Sequence, residues 1–314
     1  MTVPTASPLY VVLNAASGRD EGDPALAIEA VLQEAGRAYE LCRVDESHRL
    51  EHVAERAVAA ARATGGAVVA AGGDGTLNAV ARAVLGSDVS CGVIPQGTFN
   101  YFARAHGIPT DTTAATRALL DARIEPVPVG LVNGHPFLVN ASLGLYPESL
   151  EVREEQKQRH GRSRPVAIWA ALLTVLRQHR PLRIRVERDG RPDELCTLTL
   201  FVGLNALQLE RMGWDGAVVE RGRLAAIVLK PVSPARLVWL MARGAFGRLA
   251  EAHGIDSFSF SSLTVQPARR AAQLVKVATD GETTMLRPPL EFRLAADPLL
   301  LLAPRTKPER AAGS

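Results

Sequence analysis

The 314-residue sequence predicts an α/β protein of two domains: an N-terminal domain built on a parallel sheet, then an antiparallel, β-sandwich-like C-terminal domain with helices. Through the first 130 residues, short apolar runs alternate with amphipathic helical segments, a pattern typical of parallel strands covered on both faces. After residue 180, apolar and polar residues alternate singly, which indicates antiparallel strands with one solvated face. These two patterns predict the fold class.

The elements of the N-terminal half follow from the apolar runs. Leu9–Leu13 is the first strand, and a turn leads to a helix that begins at Asp23-Pro24 with an N-cap and a first-turn proline. Gly65-Gly66 ends the second helix. The remaining predicted elements are strands at Ala38–Val44, Ala67–Ala71 and Ser90–Ile94, and helices at Asp45–Ala63 and Leu77–Leu85.

In the second half, Leu182, Ile184 and Val186 alternate with polar residues, and Asp189-Gly190 is a typical hairpin turn with Leu195–Val202 as the predicted partner strand. Phe258 and Phe260 alternate with serines in the same way. Helices are predicted near Glu148–Arg159, Pro165–His179 and Pro234–Arg248. The predicted division is a first domain at 1–128, a β-rich domain at 129–286, final strands at 287–304 that can return to the first domain, and a flexible tail at 305–314.

Composition excludes several classes of protein. A formal net charge of +3 and an aromatic content of 5% argue against nucleic-acid binding. Three distant cysteines without a CxxC pattern predict neither a disulfide framework nor a zinc site, as in a reducing cytosol. No signal peptide is recognised, and the apolar run Val166–Leu176 is about half of the length that spans a bilayer. We therefore expect a cytoplasmic protein.

The strongest functional motif is Gly72–Thr76 (GGDGT), between a predicted strand and a predicted helix. Its glycines let a ligand approach the backbone, and the helix N-terminus offers N–H groups and a positive dipole end to an anion. Asp74 adds a carboxylate beside that anion, which is favourable mainly when a metal ion lies between them. The alternative is a plain βα turn capped by Asp74, which would not need three glycines. The spacing matches neither a P-loop nor a dinucleotide fingerprint.

A second motif, Pro95–Asn100, also follows a strand, and a third turn follows strand Leu9–Leu13. The carboxyl ends of neighbouring parallel strands form the crevice in which open α/β sheets bind ligands. All three turns are therefore predicted to line one site. The residues that the second and third turns offer are Gly97, Thr98, Asn100, Asn14, Ser17 and Gly18.

Together these motifs resemble the diacylglycerol-kinase-type lipid kinases, the family that includes sphingosine, ceramide and bacterial lipid kinases. The GGDGT turn alone is shared with NAD kinases and phosphofructokinase-like folds, but Pro95–Asn100 followed by Phe102–Arg104 is similar to the lipid-kinase branch. Two further matches are Phe137–Gly144 and Asp280–Glu282. The resemblance covers roughly residues 9 to 303.

The resemblance implies that the N-terminal domain binds nucleotide and that the chain is an ATP-dependent, Mg²⁺-dependent lipid kinase. Asp74 would face the ATP phosphates and their Mg²⁺, and Asp280 would be the candidate base that orients the lipid hydroxyl. From the residues alone, Asp280-Gly281 is equally a hairpin turn. The implied nucleotide-binding residues are Asn14, Ser17, Gly18, Gly72, Gly73, Gly75, Thr76, Gly97, Thr98, Asn100 and Glu282.

Three departures from the family pattern concern an accessory Mg²⁺ site. Tyr101 stands where the family usually has aspartate, and Pro128 stands where it often has aspartate. Arg221 replaces one of a pair of acidic residues. The accessory site is therefore expected to be incomplete. An NAD or other small-molecule kinase, or a non-catalytic nucleotide or lipid sensor, is the alternative function.

Residues 152–185 carry nine basic and two acidic residues around the apolar run Val166–Leu176, which contains Trp169. Such a segment suits the face of an anionic membrane, where the lipid substrate would be met. The alternative is that Val166–Leu176 packs in the core and the arginines form a solvated face. The expected partners are a lipid and peripherally the inner membrane face, with no nucleic acid; the oligomeric state is not predicted.

Overall fold

The computed structural model describes residues 7–14, 23–45, 49–97, 100–144, 181–204, 222–233, 254–268 and 274–305. The chain divides into two compact units, unit 1 (Met1–Val129 with Ala296–Ser314) and unit 2 (Gly130–Ala295). Unit 1 carries a mainly parallel sheet and unit 2 carries two antiparallel sheets, which confirms the predicted fold class. The helices predicted near 148–159, 165–179 and 234–248 lie outside the described residues.

Unit 1 is built on sheet 1, a six-stranded sheet in the order β2-β1-β3-β4-β18-β5. All neighbours in it are parallel except β18 and β5, which are antiparallel. The elements are β1 (Leu9–Leu13), α1 (Pro24–Glu34), β2 (Tyr39–Arg43), α2 (Leu50–Thr64), β3 (Ala67–Gly72), α3 (Asp74–Val84), β4 (Ser90–Pro95), α4 (Tyr101–Ala105), α5 (Thr112–Leu120), β5 (Ala122–Val127) and β18 (Leu299–Pro304).

The helix ends in unit 1 follow local chemistry. The Asp23 side chain accepts a hydrogen bond from the Ala25 N–H at 2.9 Å and Pro24 opens α1, which confirms the predicted start. Gly65 ends α2 in a left-handed conformation with φ 66°. Two predicted starts are wrong: α2 begins at Leu50, five residues after the predicted Asp45, and α3 begins within the glycine motif instead of after it.

Unit 2 contains sheet 2, in the order β10-β9-β14-β17-β6-β7, and sheet 3, in the order β13-β12-β11-β8-β15-β16. Buried residues of both sheets, Phe137, Leu143 and Phe292 among them, form one apolar cluster. The strands are β6 (Gly130–Val132), β7 (His135–Phe137), β8 (Asn140–Gly144), β9 (Leu182–Arg188), β10 (Arg191–Thr197), β11 (Thr199–Gly203), β12 (Leu224–Leu229), β13 (Ile255–Phe260), β14 (Ser262–Pro267), β15 (Val275–Thr279), β16 (Glu282–Leu286) and β17 (Leu290–Leu294).

The hairpin at Asp189-Gly190 is confirmed, but the predicted partner strand Leu195–Val202 is confirmed only over residues 195–197, which pair with β9 as part of β10, and its bounds are wrong. That apolar run is two strands of different sheets, because β10 ends at Thr197 and β11 begins at Thr199. The buried Thr197 hydroxyl lies 2.7 and 2.8 Å from the Thr199 and Leu229 carbonyls, donates to one of them at a time, and accepts from the Thr199 N–H at 3.1 Å, so it satisfies backbone groups at the break. Within the predicted terminal segment 287–304, β17 pairs in sheet 2 and only β18 pairs in sheet 1.

Within the described ranges, no helix is both long and apolar enough to cross a membrane.

Candidate functional site

Two glycine turns meet at the carboxyl edge of sheet 1. The Gln96 N–H donates to the Gly72 carbonyl at 2.8 Å, which continues the β3–β4 ladder past the strand ends. A Cβ on Gly97 would stand 3.2 Å from the Gly73 Cα and 3.0 Å from the Asn100 Oδ1. Only a glycine at 97 lets the two turns approach this closely without displacing a neighbour.

The turn after β1 joins them through a side-chain contact. The Asn14 N–H donates to the Ala71 carbonyl at 3.0 Å, and Asn14 Nδ2 donates to Thr76 Oγ1 at 3.3 Å. Thr76 is 2% exposed, and a Cβ on Gly72 would overlap its side chain. The structure therefore brings Asn14, Gly72 and Thr76 together, with the Thr76 hydroxyl packed against the strand ends.

Asn100 closes the second turn. It adopts the left-handed conformation with φ 48°, and its Nδ2 donates to the Gly97 carbonyl at 2.9 Å. Its own carbonyl accepts from the Arg104 N–H at 3.0 Å, so Asn100 also begins α4. Asparagine tolerates the left-handed region better than most residues. The predicted ligands Ser17, Gly18 and Thr98 lie outside the described residues.

The N-terminus of α3 is the electropositive feature of this edge. Gly73 is its N-cap and has no side chain to satisfy the first-turn N–H groups, and Gly75 lies within that turn. Eleven aligned peptide units stabilise negative charge at this end, and Asp74 already places one carboxylate there. An anion that binds here is repelled by the Asp74 carboxylate, unless a cation lies between the two and binds both. This arrangement fits a phosphate that arrives with a divalent cation.

In unit 2, the segment Phe137–Gly144 holds the Asp280 carboxylate. Oδ2 accepts from the Leu138 N–H at 2.7 Å, and Oδ1 accepts from the Val139 and Asn140 N–H groups at 2.8 and 2.9 Å. The Asp280 N–H donates in return to the Asn140 carbonyl at 2.9 Å. Three N–H donors stabilise the charged carboxylate and restrict its rotation. The group is thus suited to orienting a hydroxyl more than to taking up its proton.

The same contacts bring together two motifs that the sequence separates by about 140 residues. Asp280 sits at the turn between β15 and β16 with φ 51°, which confirms the hairpin turn as well. Glu282 is exposed at the first position of β16. Asp74 belongs to unit 1, whereas Asp280 and Glu282 belong to unit 2.

Metal donors are sparse in the described ranges, which hold no group of three or more His, Cys, Asp or Glu side chains able to bind a metal ion. Tyr101, the first of the departures from the family pattern, is 46% exposed at the start of α4. Pro128 directly follows β5 and has no oxygen in its side chain, and Arg221 lies outside the described residues.

Buried polar side chains without partners are the feature that sequence reasoning missed. The amide of Gln96, beside the glycine turns in unit 1, is 9% exposed and neither amide atom is hydrogen bonded. In unit 2, Asn140 Oδ1 and the Ser142 hydroxyl on β8 are also buried and unbonded. Most buried polar groups in proteins have a partner, so these side chains can bind a water molecule or a polar group of a ligand. In the sequence, the position of Gln96 directly after an apolar strand is the signal that could have indicated a buried polar side chain here.

Comparisons with known proteins point to one family. A sequence model described as the diacylglycerol kinase catalytic domain matches residues 8–132. The protein of Bacillus subtilis (strain 168) named diacylglycerol kinase is 31% identical over 245 residues, which cover 73% of this chain and 75% of that protein. The Pseudomonas aeruginosa (strain UCBPP-PA14) protein named "Probable lipid kinase YegS-like" is 40% identical over 139 residues. That second match spans 44% of each chain, less than half of the relative's length.

A solved structure agrees in fold. The crystal structure of a diacylglycerol kinase from Bacillus anthracis str. Sterne superposes with a TM-score of 0.69 and covers 95% of this chain and 97% of that chain. Their sequences are 18% identical, so this likeness concerns the fold alone.

Proposed function

Because this chain belongs to the diacylglycerol kinase family, we propose that it is an ATP-dependent lipid kinase. It transfers the γ-phosphate to a hydroxyl of a diacylglycerol- or sphingosine-like lipid. The observation that carries the proposal is the contact between the Gly72–Thr76 and Gly97–Asn100 turns at the N-terminus of α3. A chain that only needed a tight βα turn would not need glycine at both contact positions.

On the nucleotide side, unit 1 supplies binding and orientation. The first-turn N–H groups of α3 donate to phosphate oxygens, and the glycines let those oxygens approach the backbone. The hydrogen bond from Asn14 to Thr76 joins the turn after β1 to the Gly72–Thr76 turn. Phosphoryl transfer passes through a loose transition state, so positioning and charge neutralisation provide most of the rate.

The donor set fits a Mg²⁺ that arrives with ATP. Asp74 is the carboxylate in the first turn of α3, and phosphate oxygens would complete its shell. When bound, Mg²⁺ neutralises charge on the β- and γ-phosphate oxygens. We expect no tightly held metal without nucleotide: metal analysis of dialysed protein should find less than about 0.1 Mg²⁺ per chain, because one carboxylate is a weak site. A stoichiometric metal in the nucleotide-free protein would contradict this.

On the acceptor side, unit 2 supplies Asp280. The acceptor hydroxyl oxygen bonds to the γ-phosphorus as the bond to the β,γ-bridging oxygen breaks and ADP leaves, and the hydroxyl proton passes late to the Asp280 carboxylate. The Asp280 carboxylate accepts a hydrogen bond from that hydroxyl and so directs the hydroxyl oxygen. The charge of the carboxylate, which is held in place by backbone N–H groups, stabilises the emerging proton.

We also propose a cytoplasmic enzyme that contacts the inner membrane face peripherally through 152–185. Most of that segment lies outside the described residues, but Arg183 and Arg185 alternate outward along β9, where Arg183 pairs with Cys196 and Arg185 with Glu194. Binding that rises with anionic lipid content and weakens with salt would support it.

A transfer assay tests the proposal. Protein, Mg²⁺ and γ-labelled ATP are incubated with diacylglycerol, sphingosine and ceramide in mixed micelles, and with NAD in a separate reaction. We expect label in the organic phase with at least one lipid. Label on NAD alone would make the chain a small-molecule kinase, and nucleotide binding without any transfer would make it a sensor.

A further inference from the structure

The Gln96 side chain is buried at the glycine turns with both of its amide atoms unbonded. Gln96 directly follows β4 and is 9% exposed, and among the described residues neither Nε2 nor Oε1 has a hydrogen-bond partner. Burying an amide without a partner costs stability, and an apolar side chain of similar shape would avoid that cost. A glutamine here is therefore favourable only with a polar group bound to it, either a water molecule or part of a ligand.

The backbone of Gln96 lies between the two glycine turns. In the β3–β4 register Gly72 pairs with Pro95, and the hydrogen bond from the Gln96 N–H to the Gly72 carbonyl at 2.8 Å continues that register by one position. The next position sets Gln96 beside Gly73, the N-cap of α3, which has no side chain to separate them. Gly97 also approaches Gly73, since a Cβ on it would lie 3.2 Å from the Gly73 Cα. Gln96 is thus next to the helix terminus at which we place the phosphates.

The two unbonded atoms limit what the partner of this amide can be. Nε2 donates hydrogen bonds and Oε1 accepts them, so a matching group offers an acceptor and a donor close together. A phosphate group offers acceptors only, and its charge repels Oε1. Sugar hydroxyls offer both, because a hydroxyl donates one hydrogen bond and accepts others. In a nucleotide the ribose lies between the phosphates and the base, so its hydroxyls lie nearer to phosphates bound at α3 than the polar edge of the base does.

We propose that the Gln96 amide binds the ribose hydroxyls of the nucleotide, an inference that rests on the proposed ATP-dependent function. One hydroxyl donates to Oε1, and its neighbour on the ring accepts from Nε2. The edge of adenine can also pair with a glutamine amide, but the base is the end of the nucleotide farthest from the phosphates. A buried water molecule is the other occupant, and it would give no preference between sugars.

The contact makes the site selective for ribonucleotides. A ribonucleotide satisfies both atoms of the amide, whereas a deoxynucleotide leaves one of them buried and unbonded in the complex. A site that hydrogen bonds a substrate hydroxyl rejects the analogue that lacks it for this reason. Gln96 is therefore a residue that determines specificity on the nucleotide side, and it does not touch the reacting phosphorus.

Calorimetry with matched nucleotides tests the proposal. Wild type and variants are titrated with ATP, 2′-deoxy-ATP, 3′-deoxy-ATP and inosine triphosphate at one excess of Mg²⁺. Gln96→Met keeps an unbranched side chain and removes the amide, and Gln96→Leu is a second variant of the same kind, so the result does not depend on one substitution. Gln33→Met is the control, because Gln33 is exposed on α1 of the same unit and takes the same change. Urea denaturation of each protein measures its stability.

We expect wild type to bind ATP about three- to tenfold more tightly than the weaker-binding deoxy analogue, the effect of one neutral hydrogen bond. Gln96→Met should bind ATP and that analogue equally, with the affinity that wild type has for the analogue. The control should keep the wild-type ratio. Both Gln96 variants should be as stable in urea as wild type or more stable, because they remove two unbonded polar atoms from the interior.

The ratio of affinities is taken within each protein, so a general loss of nucleotide affinity leaves it unchanged. A wild-type ratio near one, or the wild-type ratio retained in the Gln96 variants, overturns the inference alone. Variants that lose the preference for ATP over inosine triphosphate and keep the preference between sugars would overturn it as well, because the amide would then bind the base. A wild type that binds none of these nucleotides overturns the proposed function, and the inference with it.

Discussion

Replacing Asp280 by asparagine tests whether this carboxylate acts in the reaction or only holds unit 2 together. Its two oxygens accept three backbone N–H groups, from Leu138, Val139 and Asn140. An asparagine can offer only one carbonyl oxygen. With that oxygen on the Val139 and Asn140 N–H groups, the new NH₂ group would face the Leu138 N–H, donor against donor. The substitution therefore removes the charge and also one backbone hydrogen bond.

The two effects differ in size. One backbone N–H left without an acceptor costs about 1–3 kcal/mol. A domain with an unfolding free energy of about 5–15 kcal/mol keeps at least about 2 kcal/mol after such a loss, so about 97% or more of it stays folded. Unfolding thus cannot lower the turnover noticeably, whereas loss of the group that orients the hydroxyl should lower kcat about 10²-fold or more. Nucleotide affinity should change little, because Asn14 and the glycine turns lie in unit 1.

Asp189→Asn is the matched control. Asp189 also precedes a glycine at a hairpin turn of unit 2, with φ 48° against 51° for Asp280. Its Oδ1 accepts backbone N–H groups from Ser261 and Ser262 at 2.9 and 3.0 Å. No family motif includes it. An asparagine keeps Oδ1 but loses the ion pair of Oδ2 with Arg223 at 2.9 Å, so we expect this variant to lose less than about 1 kcal/mol of stability and to keep the wild-type kcat.

The assay pairs urea denaturation with steady-state kinetics on micellar diacylglycerol for wild type and both variants. A fall in kcat of less than about threefold for Asp280→Asn, equivalent to about 0.65 kcal/mol of barrier, would refute the role of Asp280 in the reaction. Equal losses of kcat in both variants would refute it as well, because the cause would then be the strain on unit 2.

Three further predictions concern the turns, a titrating turn residue and the thiols. Gly97→Ala should weaken ATP binding about tenfold in calorimetry, since its Cβ would press on Gly73 and Asn100. Gly203→Ala is the control: its Cβ would have only the Val139 carbonyl nearby, at 3.7 Å, so this variant should bind ATP normally. The Ser262 N–H, with the Ser261 N–H and the Arg223 guanidinium, holds the pKa of Asp189 below its ordinary value against partial desolvation. The ionised form therefore stabilises the fold above the unfolded pKa of about 3.9 and ceases to do so as the pH falls through the folded pKa. The Asp189 side chain is 36% exposed, so solvent screens this charge. Urea titrations should show wild type more stable than Asp189→Asn at pH 7 by less than about 1 kcal/mol, with the gap closing below about pH 4, and a pH-independent gap would contradict this. Burial raises the pKa of Cys91 to about 12, and burial with the nearby Glu40 charge raises the pKa of Cys42 to about 11, whereas Cys196 is exposed. A maleimide at about pH 8 should therefore modify one thiol per native chain, as counted by mass spectrometry. Fast modification of a second thiol would show that the core opens.

Local chemistry determined much of the fold from the sequence alone. Asp23-Pro24 begins α1 because the cap and the proline act within one helical turn. The Asp-Gly pairs at 189 and 280 form hairpin turns because those two residues accept the left-handed conformations that the turn requires. The glycine motifs also predicted that three turns share one edge of sheet 1, since the carboxyl ends of parallel strands meet there.

Other features depended on partners far along the chain. Leu195–Val202 reads as one apolar run, and only pairing with β9 on one side and with β8 and β12 on the other divides it between two sheets. The insertion of β18 between β4 and β5 likewise has no local signal. The hydrogen bonds that hold the Asp280 carboxylate join residues 140 to 142 positions apart. A sequence pattern reports which residues can lie on a face or at a turn, but the partners across a sheet are selected by burial over the whole unit, which only the tertiary structure supplies.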